Sequence, residues 1–121
     1  RQISNGVKKL RDSFKYAING LKETLIFERN FKIMLFFALL AAVLMFYFPT
    51  SRTEKAVITT AIFAVLTLEL VNIAIERLLD FLQLERNEEV RVIKDLMAAI
   101  VLLASFGAVV IGLIVFWPHI F

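Results

Sequence analysis

Three long stretches without a charged residue constrain this chain most strongly. They are Ile33–Phe48 with sixteen residues, Ala56–Leu68 with thirteen and Leu96–Trp117 with twenty-two. A helix needs about 20 apolar residues to cross a hydrocarbon core about 30 Å thick. The third stretch is long enough to cross without help. The first is long enough if it includes Phe31 and if the Lys32 side chain snorkels to the interface. The second can cross if the polar residues that follow it face protein or water. The pattern predicts three membrane-spanning helices.

Composition excludes the main alternatives to a membrane protein. The 121 residues are 60% apolar, whereas an ordinary soluble domain has about 45–50%. The absence of cysteine excludes disulfides, thiolate metal sites and cysteine nucleophiles. The only histidine is His119, which makes a Ser/His/Asp triad remote. We expect an all-α integral membrane protein with a single domain over residues 1–121.

Apolar residues near the start of the chain recur at helical spacing between lysines and arginines. Steps of three and four place them on one stripe: Ile3, Val7, Leu10, Phe14, Ile18, Leu21 and Leu25. This pattern predicts an amphipathic helix at about 4–26 on the membrane surface, with its lysines available to anionic headgroups. The three spanning helices are predicted at about 29–48, 52–84 and 92–117.

Two further signals predict helix ends and orientation. Pro49 ends the first span, and Ser51 with Glu54 three residues later reads as a capping box that opens the second. Residues 1–32 carry eight Lys and Arg and residues 77–94 carry four, whereas the first loop has two. The positive-inside rule therefore predicts a cytoplasmic N-terminus and second loop, with the C-terminal end outside.

The second span carries four polar side chains on one helix face. They follow at intervals of three, four and four residues: Glu69, Asn72, Glu76 and Asp80. A carboxylate inside the hydrocarbon costs about 2.5–3.5 kcal/mol on insertion scales and is a functional candidate by default. The alternative is an interhelical clasp, with Glu69 protonated and bonded to Asn72. That clasp explains one polar residue better than it explains three carboxylates and an amide.

Further candidate groups gather at the cytoplasmic boundary. Glu28 lies where the surface helix meets the first span, level with Glu76, and two such carboxylates with phosphate oxygens suit Mg²⁺. Lys94 and Asp95 open the third span at this level, where a lysine can neutralise phosphates. Three nearby polar residues offer contacts for a nucleotide: Glu85, Arg86 and Asn87. The chain has no GxxxxGK[ST] and no GxGxxG motif, so any nucleotide site here is unrelated to the usual phosphate loops.

These residues together form a recognisable motif. It reads Glu69-x-x-Asn72-x-Ala74-Ile75-Glu76-x-x-x-Asp80, with Lys94-Asp95 following fourteen residues later. The motif resembles that of the prokaryotic diacylglycerol kinase family of small integral-membrane lipid kinases, and the resemblance covers nearly the whole chain. The segments Glu28-Arg29-Asn30-Phe31 and Ile114-Val115-Phe116-Trp117-Pro118 are most similar to the Gram-positive branch, whose members phosphorylate undecaprenol.

The resemblance implies a role for each candidate residue. Glu69 is implied to be the general base for the lipid hydroxyl, with Asn72 beside it and Lys94 on the phosphates. Glu28 and Glu76 are implied to hold Mg²⁺ on ATP. Further ATP contacts are expected from Lys9, Tyr16, Glu85, Arg86, Asn87 and Asp95. The lipid is expected to meet Glu69, Ile73 and Ala98.

The expected function is transfer of the γ-phosphate of Mg-ATP to a membrane lipid alcohol, with undecaprenol first and diacylglycerol as the alternative. The resemblance implies a homotrimer in the bacterial cell membrane, with active sites between subunits at the cytoplasmic face. The expected partners are the lipid, ATP and copies of the chain, and no nucleic acid.

Two other classes stay open on the residues alone. Intramembrane carboxylates also serve small proton- or ion-coupled transporters, in which Glu69 and Glu76 would be the carriers. A non-catalytic membrane scaffold is the third possibility. Four positions depart from the family's usual pattern: Ala17, Ile73, Asn87 and Ile100. The bulk of the two isoleucines bears on the shape of the lipid groove.

Overall fold

The described part of the chain forms four helices in the computed structural model. The structure describes residues 2–82 and 87–121, with side chains from residue 5 onwards. The helices are α1 (Gln2–Phe27), α2 (Arg29–Tyr47), α3 (Arg52–Phe81) and α4 (Glu88–Ile120). By length and composition, α2, α3 and α4 are each able to cross a membrane. The prediction of an all-helical chain is therefore confirmed for the described residues, and three of the helices have the length and apolar composition predicted for membrane spans.

The start of α3 follows the predicted local chemistry. The hydroxyl oxygen of Ser51 accepts the Glu54 N–H at 3.1 Å, and Glu54 Oε1 accepts the Ser51 N–H at 2.8 Å. This reciprocal capping box satisfies two of the N–H groups that a helix start leaves without partners. The thirty residues of α3 span about 45 Å, which exceeds a hydrocarbon core of about 30 Å. In a membrane, a helix of this length extends beyond the hydrocarbon core unless it is strongly tilted.

The start of α4 lies earlier than the predicted span. Asn87 is its N-cap, and Asn87 Oδ1 accepts the Glu89 N–H at 2.8 Å. Glu88 and Glu89 add negative charge to the first turn, where the helix dipole favours it. The capped turn extends α4 into the charged segment before Leu96, which apolar length alone does not reveal.

α3 and α4 run antiparallel, and two contacts define their register. Ile58 and Val115 pack together with Met45 of α2 in a buried apolar cluster. Asp80 and Lys94 form a salt bridge near the other end of the pair. The number of residues between the two contacts is about the same on α3 as on α4, so the register is nearly constant along the pair. The same register places Ser105 of α4 level with Glu69 of α3.

Near the Met45 cluster, side-chain contacts connect the α2–α3 turn, the start of α3 and the end of α4. Thr50 donates its hydroxyl proton to the Met45 carbonyl oxygen at 2.7 Å, which ties the α2–α3 turn to the end of α2. The ring of Phe48 stacks on His119 with centroids 6.2 Å apart. His119 Nε2 lies 3.5 Å from Glu54 Oε1. The last turn of α4 is thus attached to the capped start of α3.

The contacts divide the chain into two units, one ending at Ile33 and the other comprising Met34–Phe121. In the first unit, the described apolar stripe of α1 is exposed, including Val7, Leu10 and Phe14. An exposed apolar stripe on an otherwise polar helix suits a membrane surface. The surface position of α1 and the single-domain organisation remain predictions.

Candidate active site

The polar face of α3 changes from buried to exposed along the helix. Glu69 is 3% exposed and Asn72 is 9% exposed, and Ile73 beside them is also buried. Glu76 and Asp80 are exposed. The helical rise places Glu76 about 10 Å and Asp80 about 16 Å beyond Glu69 along the axis. One helix face therefore holds a shielded carboxylate and amide at one level and accessible carboxylates at another.

The buried amide of Asn72 has an orphaned acceptor. Its Oδ1 atom is buried and has no hydrogen-bond partner among the described residues. Leaving a buried acceptor unsatisfied costs about 1–3 kcal/mol. Such an atom in a native protein calls for an explanation, and a bound ligand that donates a proton to it is one. This acceptor lies one turn from the Glu69 carboxylate.

Lys94 is held against α3 by an acidic side chain. Its Nζ atom donates to Asp80 Oδ1 at 2.9 Å, and the Lys94 side chain is one-third exposed. The sequence predicted both residues near the cytoplasmic boundary, but it did not predict that they pair. The signal available was their opposite charge on consecutive helices, each within two turns of the intervening loop.

Two predicted nucleotide contacts already have partners within α4. Asp95 Oδ2 accepts a hydrogen bond from Arg91 Nη1 at 2.7 Å, and Arg91 also pairs with Glu88. Asn87 Oδ1 caps the helix. Sequence reasoning missed Arg91, although its position between two acidic residues at helical spacing is a recognisable signal. Glu85 and Arg86, which were also predicted to contact ATP, lie outside the described residues.

Three predicted residues belong to the unit that ends at Ile33. Lys9 and Tyr16 are exposed on α1, and Glu28 is half-buried in the connection between α1 and α2. The Glu28 N–H donates to the Thr24 carbonyl oxygen at 2.9 Å, which continues the helical pattern to this residue. The backbone there is thus ordered by its own hydrogen bonds.

The two carboxylates predicted to hold Mg²⁺, Glu28 and Glu76, belong to different units of the chain. In the described ranges, no three His, Cys, Asp or Glu residues lie together in a way that holds a metal. Mg²⁺ is usually bound by one or two carboxylates together with water and substrate phosphates. Glu28 and Glu76 provide hard carboxylate oxygens of this kind. Their donor chemistry fits Mg²⁺ that arrives with a nucleotide.

An apolar cavity begins one turn from Glu69. It has a volume of about 390 Å³ and lies between α2, α3 and α4. Leu66 and Ser105 line the end nearest the Glu69 level, and Phe116 lines the far end. Ala98 is exposed, and the helix register places it level with Glu76 rather than with Glu69. The surroundings of the buried carboxylate therefore suit a hydrocarbon chain better than a polar substrate.

Comparisons with known proteins agree with this chemistry. The model of the prokaryotic diacylglycerol kinase family matches residues 15–116. The diacylglycerol kinase of Haemophilus influenzae is 31% identical over 85 residues, which cover 70% of this chain and 72% of the relative. The undecaprenol kinase of Bacillus subtilis is 29% identical over 116 residues, which cover 96% of this chain and 94% of the relative. Both relatives are named as kinases that act on an alcohol.

Proposed function

This chain belongs to the prokaryotic diacylglycerol kinase family, and we propose that it transfers the γ-phosphate of ATP to the hydroxyl of undecaprenol in the membrane. Its class, a phosphotransferase with an alcohol acceptor, is common to both relatives. Undecaprenol is our first choice of acceptor because the Bacillus undecaprenol kinase aligns with nearly the whole chain. The segments that contain Glu28 and Trp117 also resemble the Gram-positive branch of the family. Diacylglycerol is the second candidate, because the Haemophilus relative is a diacylglycerol kinase.

The observation that carries the proposal is the buried Glu69 carboxylate. It is 3% exposed on a membrane-length helix, next to the orphaned Asn72 acceptor and one turn from an apolar cavity. A carboxylate in such a place is a functional candidate. We assign Glu69 as the general base that accepts the hydroxyl proton. Asn72 lies beside the alcohol, whose O–H donates to Glu69, and the lipid lies against apolar side chains that include Ile73 and, at the level of Glu76, Ala98.

The phosphates are assigned to the exposed end of the same helix face. Phosphoryl transfer depends mostly on alignment and on stabilisation of charge. We assign Lys94 to the phosphates and Glu28 and Glu76 to Mg²⁺, which when bound neutralises charge on the β- and γ-phosphates. This metal assignment rests on the residue types and on the family resemblance. The remaining proposed ATP contacts are Lys9, Tyr16, Glu85, Arg86, Asn87 and Asp95.

The proposed assembly is a homotrimer in the bacterial cell membrane with its sites facing the cytoplasm. The orientation rests on the excess of Lys and Arg in residues 1–32 and 77–94. The trimer rests on the family resemblance. Chemical cross-linking in the membrane tests the subunit number.

The direct test is a kinase assay with purified protein in mixed micelles. Radiolabelled ATP is supplied with Mg²⁺ and undecaprenol, and lipid products are separated from nucleotides. We expect labelled undecaprenyl phosphate, little ATP turnover without lipid, and at least about 100-fold less product from Glu69→Gln. ATP turnover that does not depend on any lipid alcohol would contradict the proposal. Proton uptake by reconstituted vesicles without phosphorylated lipid would instead support a transporter.

A further inference from the structure

Asp80 is the one member of the polar face of α3 to which the proposed reaction gives no task. Its carboxylate lies in the last turn of α3, which ends at Phe81. Asp80 Oδ1 accepts a hydrogen bond from Lys94 Nζ of α4 at 2.9 Å. The contact joins two helices across the loop between them and places the lysine ammonium within hydrogen-bond distance of the Asp80 carboxylate.

Stability does not explain this pair. The side chains of Lys94 and Asp80 are 33% and 57% exposed. Ion pairs that are this accessible to solvent contribute little to folding, because water screens them and two side chains must be ordered. The apolar cluster at Met45, Ile58 and Val115 already holds α3 against α4.

A role in positioning the Lys94 ammonium explains the Asp80–Lys94 pair better than a role in stability does. A lysine ammonium is a compact charge on a flexible four-carbon stem, so its location is poorly defined unless a partner holds it. Asp80 holds it one helical turn beyond Glu76, about 6 Å along the axis. The ammonium has three N–H donors, so a bond to Asp80 and bonds to phosphate oxygens are compatible.

We propose that Asp80 is the positioning residue for Lys94, and that it holds the ammonium where the transferring phosphate develops charge. The inference rests on the proposed function, because it takes Lys94 as the group that contacts the phosphates. Asp80 acts only through Lys94 and touches neither ATP nor lipid. Loss of its carboxylate therefore lowers turnover more than it weakens nucleotide binding.

The test compares Asp80→Asn with Asp80→Glu in steady-state kinase assays, in which kcat and the KM for ATP are measured separately. Misplacement of a catalytic group by about 1 Å costs up to about 100-fold, and we expect Asp80→Asn to lower kcat by about tenfold or more. The KM for ATP should change by less than about threefold, since the lysine still carries its charge. Asp80→Glu retains a carboxylate and should restore most of the turnover.

The matched control is Glu88→Gln, which removes an exposed carboxylate at the start of α4 that pairs with Arg91 instead of Lys94. This variant should have the turnover of the parent. In a Lys94→Met background, Asp80→Asn should lower kcat by no more than about twofold further, because two residues that act as a unit do not add. Thermal unfolding of each variant shows whether the fold is kept.

Three results separate the inference from the function on which it rests. An inactive parent, or a Lys94→Met variant as active as the parent, contradicts the proposed function and the inference together. An active parent with an impaired Lys94→Met variant leaves the function in place. In that case, any of three results overturns the inference. They are an unchanged kcat in Asp80→Asn, a low kcat in Asp80→Glu, and a fall in kcat on adding Asp80→Asn to Lys94→Met that is as large as in the parent. If Asp80→Asn does not fold, an inactive but folded Asp80→Glu also overturns it.

Discussion

Asn72 follows Glu69 by three residues on α3, and both polar side chains are buried, whereas Glu76 one turn further is exposed. The accessibility of this helix face therefore changes within two turns. Polar groups at membrane depth are costly, and the orphaned Asn72 Oδ1 adds to that cost. A binding or catalytic role accounts for this arrangement better than a contribution to stability does.

The first prediction concerns the base. Glu69→Gln keeps the size and polarity of the side chain but cannot accept the hydroxyl proton. General base catalysis contributes about 10²–10⁴-fold, so kcat should fall by about 100-fold or more. Nucleotide binding, measured by titration with a fluorescent ATP analogue, should be nearly unchanged. Activity within about tenfold of the parent would show that another group takes the proton.

The second prediction separates function from stability at Asn72. Asn72→Leu replaces the orphaned acceptor by an apolar group of similar size, which removes an unsatisfied cost of about 1–3 kcal/mol. We expect the free energy of unfolding to stay equal or rise, while turnover falls by about tenfold or more because the alcohol loses the polar group beside it. Denaturant unfolding in micelles gives the first value. A variant that is clearly less stable would mean that Asn72 is a structural clasp.

Much of the fold follows from patterns that the sequence displays openly. Apolar length predicted the three spans, and the spacing of Ser51 and Glu54 predicted the cap of α3. Helical periodicity also put Glu69 and Asn72 on one face, but it did not predict that Leu79 is buried between the exposed Glu76 and Asp80. Burial depends on which helices pack nearby, and single-helix periodicity carries no such information.

Pairings between helices were the least predictable feature. The Asp80–Lys94 bridge depends on the register of α3 against α4, which the Ile58–Val115 contact also reports. Register arises from side-chain packing along both helices, so no local motif encodes it. Arg91 is a different case, because exposed charge pairs at helical spacing are common and do not by themselves indicate a functional site.

The third prediction concerns the metal. If Glu28 and Glu76 hold Mg²⁺ with the phosphates, replacing either by Ala should raise the Mg²⁺ concentration that gives half-maximal turnover, by about tenfold or more. Glu88→Gln removes an exposed carboxylate without a proposed metal role and should leave that concentration unchanged. The measurement is a Mg²⁺ titration of turnover at saturating ATP. Parent-like titrations for both Ala variants would make these residues ordinary interfacial charges.

The fourth prediction concerns the cap of α3. Ser51→Ala removes the hydroxyl that accepts the Glu54 N–H, and losing such a cap costs about 1 kcal/mol. The free energy of unfolding should fall by that amount, with turnover unchanged because the cap lies at the end opposite Glu76. Ser51→Asn supplies another acceptor and should restore the stability. If Ser51→Ala and the parent have the same free energy of unfolding, this capping box does not contribute to stability.

The last prediction concerns the acceptor lipid. A polyprenol has one small hydroxyl on a long apolar chain, so a groove for it needs only Glu69 and Asn72 near the alcohol. Diacylglycerol carries two ester carbonyls beside its hydroxyl. Burial of these carbonyls next to Ile73 without donors costs about 1–3 kcal/mol each. This difference predicts a preference for undecaprenol of about tenfold or more in kcat/KM.

Competition in one mixed micelle measures that preference directly. Both lipids are present at equal mole fraction, and the two phosphorylated products are separated and counted. Ile73→Thr places a hydroxyl donor where the ester carbonyls would lie, so it should narrow the preference, whereas Ile73→Val keeps the groove apolar and should not. If phosphatidic acid predominates with the parent, the acceptor is diacylglycerol, and the roles of Glu69 and Lys94 in phosphoryl transfer are unaffected.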